Sequence, residues 1–108
     1  MLIESLLVLS TAEKVSRLSI EQLEVMTKGL DKLWKIEDQI LTREFLFSSY
    51  EASIVFVNSV AQLAENQNHH PTILIDYCKV LIQITTHDAE NNLTKKDFEL
   101  AHSIDQKV

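Results

Sequence analysis

Three of the four histidines, His69, His70 and His87, are gathered into the stretch from Glu65 to Asp97. Imidazole is the side chain whose ordinary pKa lies near neutrality, so it can give up a proton and take one back without heavy tuning by its surroundings. Two carboxylates flank the group: Glu65 before the His-His-Pro run of residues 69–71, and Asp97 after Leu93-Thr94-Lys95-Lys96. A carboxylate beside an imidazole can fix which ring nitrogen carries hydrogen. The pattern therefore points to proton transfer on a small molecule. Two other readings stand beside it. His-His-Pro alone is equally a surface turn, and three histidines with a carboxylate could bind zinc or iron. The spacing is not that of a known metal motif, since neither a His-Glu-x-x-His helix nor a cysteine pair is present.

Composition narrows the classes. At 108 residues the chain is one domain, and 45% apolar with 24% charged residues is the balance of an ordinary globular protein, so it should fold. A formal charge of −6, with ten basic residues scattered among sixteen acidic ones, argues against nucleic acid as a partner. A single cysteine, Cys78, allows no intrachain disulfide, and a reducing cytoplasm is the default. One glycine cannot build a phosphate-cradling loop or a Gly-x-Ser-x-Gly nucleophile elbow. The opening Met-Leu-Ile-Glu-Ser-Leu-Leu-Val-Leu-Ser is apolar but carries Glu4 where a signal peptide needs positive charge, and it is too short to span a bilayer. Residues 1–16 read as an extension, with Leu2, Leu6 and Leu9 available to pack on the body or on a partner, and residues 17–108 as the domain.

The elements that must position the histidines are visible in the periodicity. Ser19 and Gln22 form a capping-box pattern before Leu23, Met26, Leu30 and Leu33, which predicts a helix running to about Trp34 unless Gly29 ends it. From Trp34 to Phe47 alternation takes over, with Leu41, Arg43, Phe45 and Phe47 on one face, predicting two strands that turn near residues 37–39. Ser48 or Ser49 caps a long helix whose stripe is Ile54, Val57, Ala61 and Ala64, flanked by Phe56, Val60 and Leu63. Ile73–Ile75 and Val80–Ile84 predict a hairpin pivoting around residues 77–79, with Tyr77 packed on the sheet. In the second strand Val80, Ile82, Ile84 and Thr86 share a face, and His87 leaves the strand end on the opposite one. Thr94 and Asp97 open a last helix that buries Phe98, Ala101 and Ile104. Strand pairs separated by single helices predict an α+β fold, a four-stranded antiparallel sheet with three helices on one face.

An acidic residue, three residues, His-His-Pro, five residues, an aromatic, nine residues, a histidine and a later helix-opening aspartate is a spacing that resembles the pterin-4a-carbinolamine dehydratase family. The likeness extends upstream through Leu41–Phe47 and Phe56–Ala61 and downstream through Phe98–Ala101 and Ile104-Asp105. It implies the same α-β-β-α-β-β-α fold, and loss of water from a 4a-hydroxytetrahydropterin to give the quinonoid dihydropterin. That reaction protonates the departing hydroxyl and removes a ring-nitrogen proton, and it transfers no electrons, so no cofactor or metal is expected and the pterin is the substrate. On the family pattern His69, His70 and His87 match the three site histidines, Pro71 the turn that fixes the pair and Asp97 the acidic residue nearby. We assign His69 and His87 as the acid/base pair, His70 to binding and orienting the pterin, Glu65 to holding an imidazole, and Asp97, at a helix start, to staying ionised and orienting another group. The resemblance also implies a homodimer or homotetramer. It brings a rival too, because members of the wider family act as binding modules, in Rubisco assembly or as dimerisation partners of a transcription factor. Two positions depart from the family pattern. Asn91-Asn92 stand where a Gly-Gly pair is common, in a loop one residue longer, and Lys96 stands where a basic residue, often arginine, precedes the aspartate.

Overall fold

The computed structural model describes residues 16–108. Expectations for residues 1–15, including the packing of Leu2, Leu6 and Leu9, lie outside the described residues. Helix α1 spans Ile20–Lys28 and opens on the predicted capping box, with the Ser19 hydroxyl accepting from Gln22 N–H at 3.2 Å and the Gln22 side chain accepting from Ser19 N–H at 2.9 Å. It stops at Gly29, short of Trp34, and the Asp31 carboxylate then accepts from Leu33 N–H in a tight turn. Leu33, expected on the helical stripe, is consequently exposed, while Trp34 is buried.

Strands β1 (Lys35–Glu37) and β2 (Ile40–Leu46) pair antiparallel through a two-residue turn at Asp38 and Gln39. Both turn residues have positive φ, the geometry that matches the twist of a two-residue hairpin. Helix α2 (Tyr50–Gln67) is capped by the Ser49 hydroxyl, which accepts from Ala52 N–H at 3.0 Å. β3 (Thr72–Asp76) and β4 (Lys79–Ile84) form the second hairpin, and α3 (Lys95–Asp105) closes the fold. β4 pairs with both β2 and β3, giving the sheet order β1-β2-β4-β3, antiparallel throughout.

The strand alternation predicts the core. Leu41, Phe45, Val80, Ile82 and Ile84 turn to the helices and join Phe56 and Val60 of α2 with Phe98, Leu100, Ala101 and Ile104 of α3 in one cluster. The stripe of α2 differs from expectation. Its buried residues are Ser53, Phe56, Val60 and Ala64, whereas Ala61 faces solvent and Ile54 and Val57 are half-buried. The bulkier Phe56 and Val60 remove more apolar surface from water than Ala61 could, and they set the rotation of the helix. Tyr77 also departs from expectation: it is 70% exposed at the hairpin tip and stacks on Tyr50, ring centroids 6.2 Å apart, instead of packing on the sheet.

At the far end of α3, Asp105 accepts from Trp34 Nε1–H at 2.8 Å and from Arg43 Nη1–H at 2.8 Å. The Arg43 guanidinium lies over the Phe45 ring, 4.3 Å from its centroid. This cluster ties the C-terminal end of α3 to the β1–β2 hairpin. Among the described residues no helix is long and apolar enough to cross a membrane.

Candidate active site

The end of α2 delivers the first two histidines. Asn68 takes the left-handed conformation, φ 50°, which stops the helix, and the His69 N–H turns back to the Ala64 carbonyl at 3.0 Å. Asparagine tolerates this conformation better than most residues, so the turn costs little. Pro71 follows, half-buried, and leads the chain into β3. The two neighbours separate: His69 points inward and is 8% exposed, whereas His70 lies on the surface, its Nε2 2.7 Å from Glu65 Oε1. The sequence pattern could not assign which of the adjacent pair faces the interior; the register of the cap decides it.

His69 Nε2 lies 2.6 Å from Oδ1 of Asp97, a carboxylate with no exposed surface. Asp97 sits in the first turn of α3. Its Oδ2 accepts from Thr94 N–H at 2.8 Å, completing a capping box, and from the Thr86 hydroxyl at 2.8 Å. A buried polar group must find partners or lose the energy of its hydration, and this carboxylate has three. As a carboxylate Asp97 only accepts, so the hydrogen between it and His69 belongs on Nε2. His69 Nδ1 then carries the lone pair, and it has no hydrogen-bond partner among the described residues.

His87 does not sit at a strand end as expected. β4 stops at Ile84, and Thr86 precedes a single 3-10 turn, His87–Ala89, in which the ring of His87 is exposed. Its Nδ1 is 2.7 Å from Asn91 Oδ1, which can only accept, so Nε2 of His87 is the open nitrogen. The loop that takes the place of Gly-Gly holds Glu90 at φ 56° and Asn91 at φ 60°; the left-handed pair is displaced by one residue from Asn91-Asn92. Gln39 braces this loop from the β1–β2 turn, its carbonyl accepting from the Thr85 hydroxyl and its side chain from Leu93 N–H.

All three histidines line one cleft of about 250 Å³, with Thr86 and Lys96 also on its wall. This is slightly below the roughly 300–1,000 Å³ of a typical small-molecule site and suits a single small heterocycle. Glu65 and Asp97 do not line it: one holds His70 from the solvent side, the other holds His69 from beneath. Thr86, Asn91, Asn68 and Thr94 were not singled out as site residues from the sequence. Asn68, placed just after the apolar stripe of α2, carried the usual signal of a helix end; a threonine on a strand face carried none. Among the described residues no group of three or more His, Cys, Asp and Glu side chains is arranged to hold a metal ion.

A profile of the pterin 4 alpha carbinolamine dehydratase family matches residues 16–107. The chain belongs to this family. Among its relatives is a protein of Metallosphaera sedula, provisionally named pterin-4-alpha-carbinolamine dehydratase, 37% identical over 90 residues that cover 83% of this chain and 92% of the relative. Another, of the same provisional name from Chloroflexus aurantiacus, is 47% identical over 73 residues, 68% of this chain and 77% of the relative. A solved structure described as a transcriptional coactivator/pterin dehydratase from Brucella melitensis superposes with a TM-score of 0.78 at 28% identity, covering 84% of this chain and 97% of that one. A pterin dehydratase-like protein identified as a RuBisCO assembly factor of the alpha-carboxysome shares the fold, with a TM-score of 0.57 at 23% identity over 68% of this chain and 83% of that one. The α-β-β-α-β-β-α fold is thus shared with proteins described in catalytic and in assembly terms.

Proposed function

We propose that this protein dehydrates a 4a-hydroxytetrahydropterin to the quinonoid dihydropterin and water by histidine acid/base catalysis. The observation that carries the reading is the buried carboxylate beneath His69. A binding module has no use for an imidazole whose Nε2–H is held by a carboxylate with no solvent contact while its Nδ1 is left open. That arrangement stabilises the imidazolium formed when Nδ1 takes a proton. His69 Nδ1 removes the ring-nitrogen hydrogen of the carbinolamine as the C=N bond forms. His87, as an imidazolium with hydrogen on both ring nitrogens, protonates the departing hydroxyl from Nε2, which faces the same cleft; the hydroxyl leaves as water, and solvent carries the proton gained by His69 back to His87. His70, held by Glu65 at the rim, contacts and orients the pterin. No electrons move, and the pterin is the only small molecule the reaction needs.

The test is the dehydration rate of freshly generated 4a-hydroxytetrahydropterin, followed by ultraviolet absorbance against the spontaneous reaction. Acceleration by the wild-type chain and not by a His69→Ala/His87→Ala variant is the expected result. A folded wild-type protein that leaves the spontaneous rate unchanged would turn the reading toward a binding or assembly role, which the likeness in fold to the RuBisCO assembly factor supports.

A further inference from the structure

Thr86 ends the row Val80, Ile82, Ile84 on the buried face of the last strand, yet it carries a hydroxyl where an aliphatic β-branched side chain would fill the same space. At 2% exposure that hydroxyl must be hydrogen-bonded or it destabilises the fold. Its partners fix its direction. Asp97 Oδ2 offers only acceptance, so the Thr86 hydrogen goes there at 2.8 Å, and the Thr86 oxygen accepts from the Thr94 hydroxyl at 2.7 Å. Thr94 in turn accepts from Lys96 N–H at 3.3 Å. Every hydrogen in the row points the same way, from the first turn of α3 through two hydroxyls to the Asp97 carboxylate. The row continues across that carboxylate to His69 Nε2.

We propose that Thr86 is a positioning residue for His69, acting through Asp97: its hydroxyl pins Oδ2, so that Oδ1 can only face the imidazole and Nδ1 becomes the nitrogen presented to the cleft. Oδ2 alone could be held by Thr94 N–H, but a carboxylate anchored at one oxygen by a single donor can still pivot. The second donor, coming from the sheet rather than from α3, fixes its plane. It thereby ties the orientation of a side chain after α2 to the end of β4, two elements that are not sequence neighbours. The kinetic arm of the test rests on the dehydratase reading; the spectroscopic arm does not.

The experiment uses the full chain labelled with 15N, with the His69 signals assigned from a His69→Gln variant, and compares wild type, Thr86→Val and Thr86→Ser in long-range 1H–15N imidazole spectra. Wild type and Thr86→Ser should show His69 as the Nε2–H form, and Thr86→Val, which keeps the shape and removes the hydroxyl, a mixture of the two. Dehydration by Thr86→Val should fall in kcat by about 10–100-fold, the loss typical of removing a hydrogen bond behind a reacting group, with KM little changed. Thr86→Ser should restore it. Hydrogen on Nδ1 in the wild type would overturn the proposal without any variant, as would a Thr86→Val spectrum identical to wild type or a failure of serine to restore the Nε2–H form. Should circular dichroism show Thr86→Val unfolded, Thr86→Ala takes its place with the same readouts. If the wild type proves not to dehydrate the pterin, the tautomer comparison still decides the role of Thr86.

Discussion

Each histidine of the cleft is held at one ring nitrogen and open at the other, and the holders differ in kind: a buried carboxylate for His69, an exposed carboxylate for His70, a neutral amide for His87. The single variants should therefore separate. His69→Ala and His87→Ala should each lower the dehydration rate by about 10²–10⁴-fold, the usual worth of a positioned acid or base. His70→Ala should act mainly on KM. Wild-type rates in both of the first two would refute the acid/base assignment. Asp97→Ala removes three hydrogen bonds from a site without solvent, including the helix cap, and should destabilise the protein by about 3 kcal/mol as well as slowing it. Urea unfolding monitored by circular dichroism measures that loss, and a midpoint equal to wild type would show the carboxylate to be dispensable for folding. At this scale the sequence was legible in residue type and spacing but not in burial. The pattern named His69, His70, His87, Glu65 and Asp97. It could not say that Asp97 is the most deeply buried of them, because that depends on the first turn of α3 packing against Thr86 beyond the end of β4.

The elements were read with better success where the signal is local. Ser19 with Gln22 and Thr94 with Asp97 form the two capping boxes their spacing predicts, and Val80, Ile82, Ile84 and Thr86 share a buried face as their alternation requires. The face of α2 was legible only to within about one residue. Apolar side chains occupy more than a third of its circumference, so two neighbouring stripes were equally periodic and side-chain volume made the choice. The loop after β4 yields a prediction of its own. Glu90 is held at φ 56°, where a side chain costs roughly 1–2 kcal/mol relative to ordinary backbone conformations. Glu90→Gly relieves that strain, less the extra freedom glycine loses on folding, for a net gain of about 0.5–1 kcal/mol. The melting temperature should rise by a few degrees. A fall would mean that the Glu90 side chain contributes something its exposure conceals.

Among the described residues the helices cover one face of the sheet, and no strand pairs with its two edges, β1 and β3. On β3 Leu74 and Ile75 are 54% and 40% exposed, and on the outer side of α2 Val55 is 61% exposed. Unpaired edges and exposed large aliphatic side chains are the surfaces on which copies of a chain associate. We expect a homodimer or homotetramer, measured by light scattering behind size exclusion. Leu74→Lys and Val55→Lys should each shift the protein toward the monomer, and two unchanged elution volumes would place the contact elsewhere. Deleting residues 1–16 tests the contribution of the extension in the same experiment, with weaker association as the expected result.

The two ends of α3 do different things: Asp97 lies under His69, and Asp105 grips Trp34 and Arg43. A ribosome delivers these residues after all three histidines. A nascent chain that has emerged only as far as His87 therefore has every imidazole of the cleft but neither the carboxylate that orients His69 nor the apolar side that closes the core. The carboxylate under His69 and the apolar side that closes the core thus arrive together, with α3, after all three imidazoles.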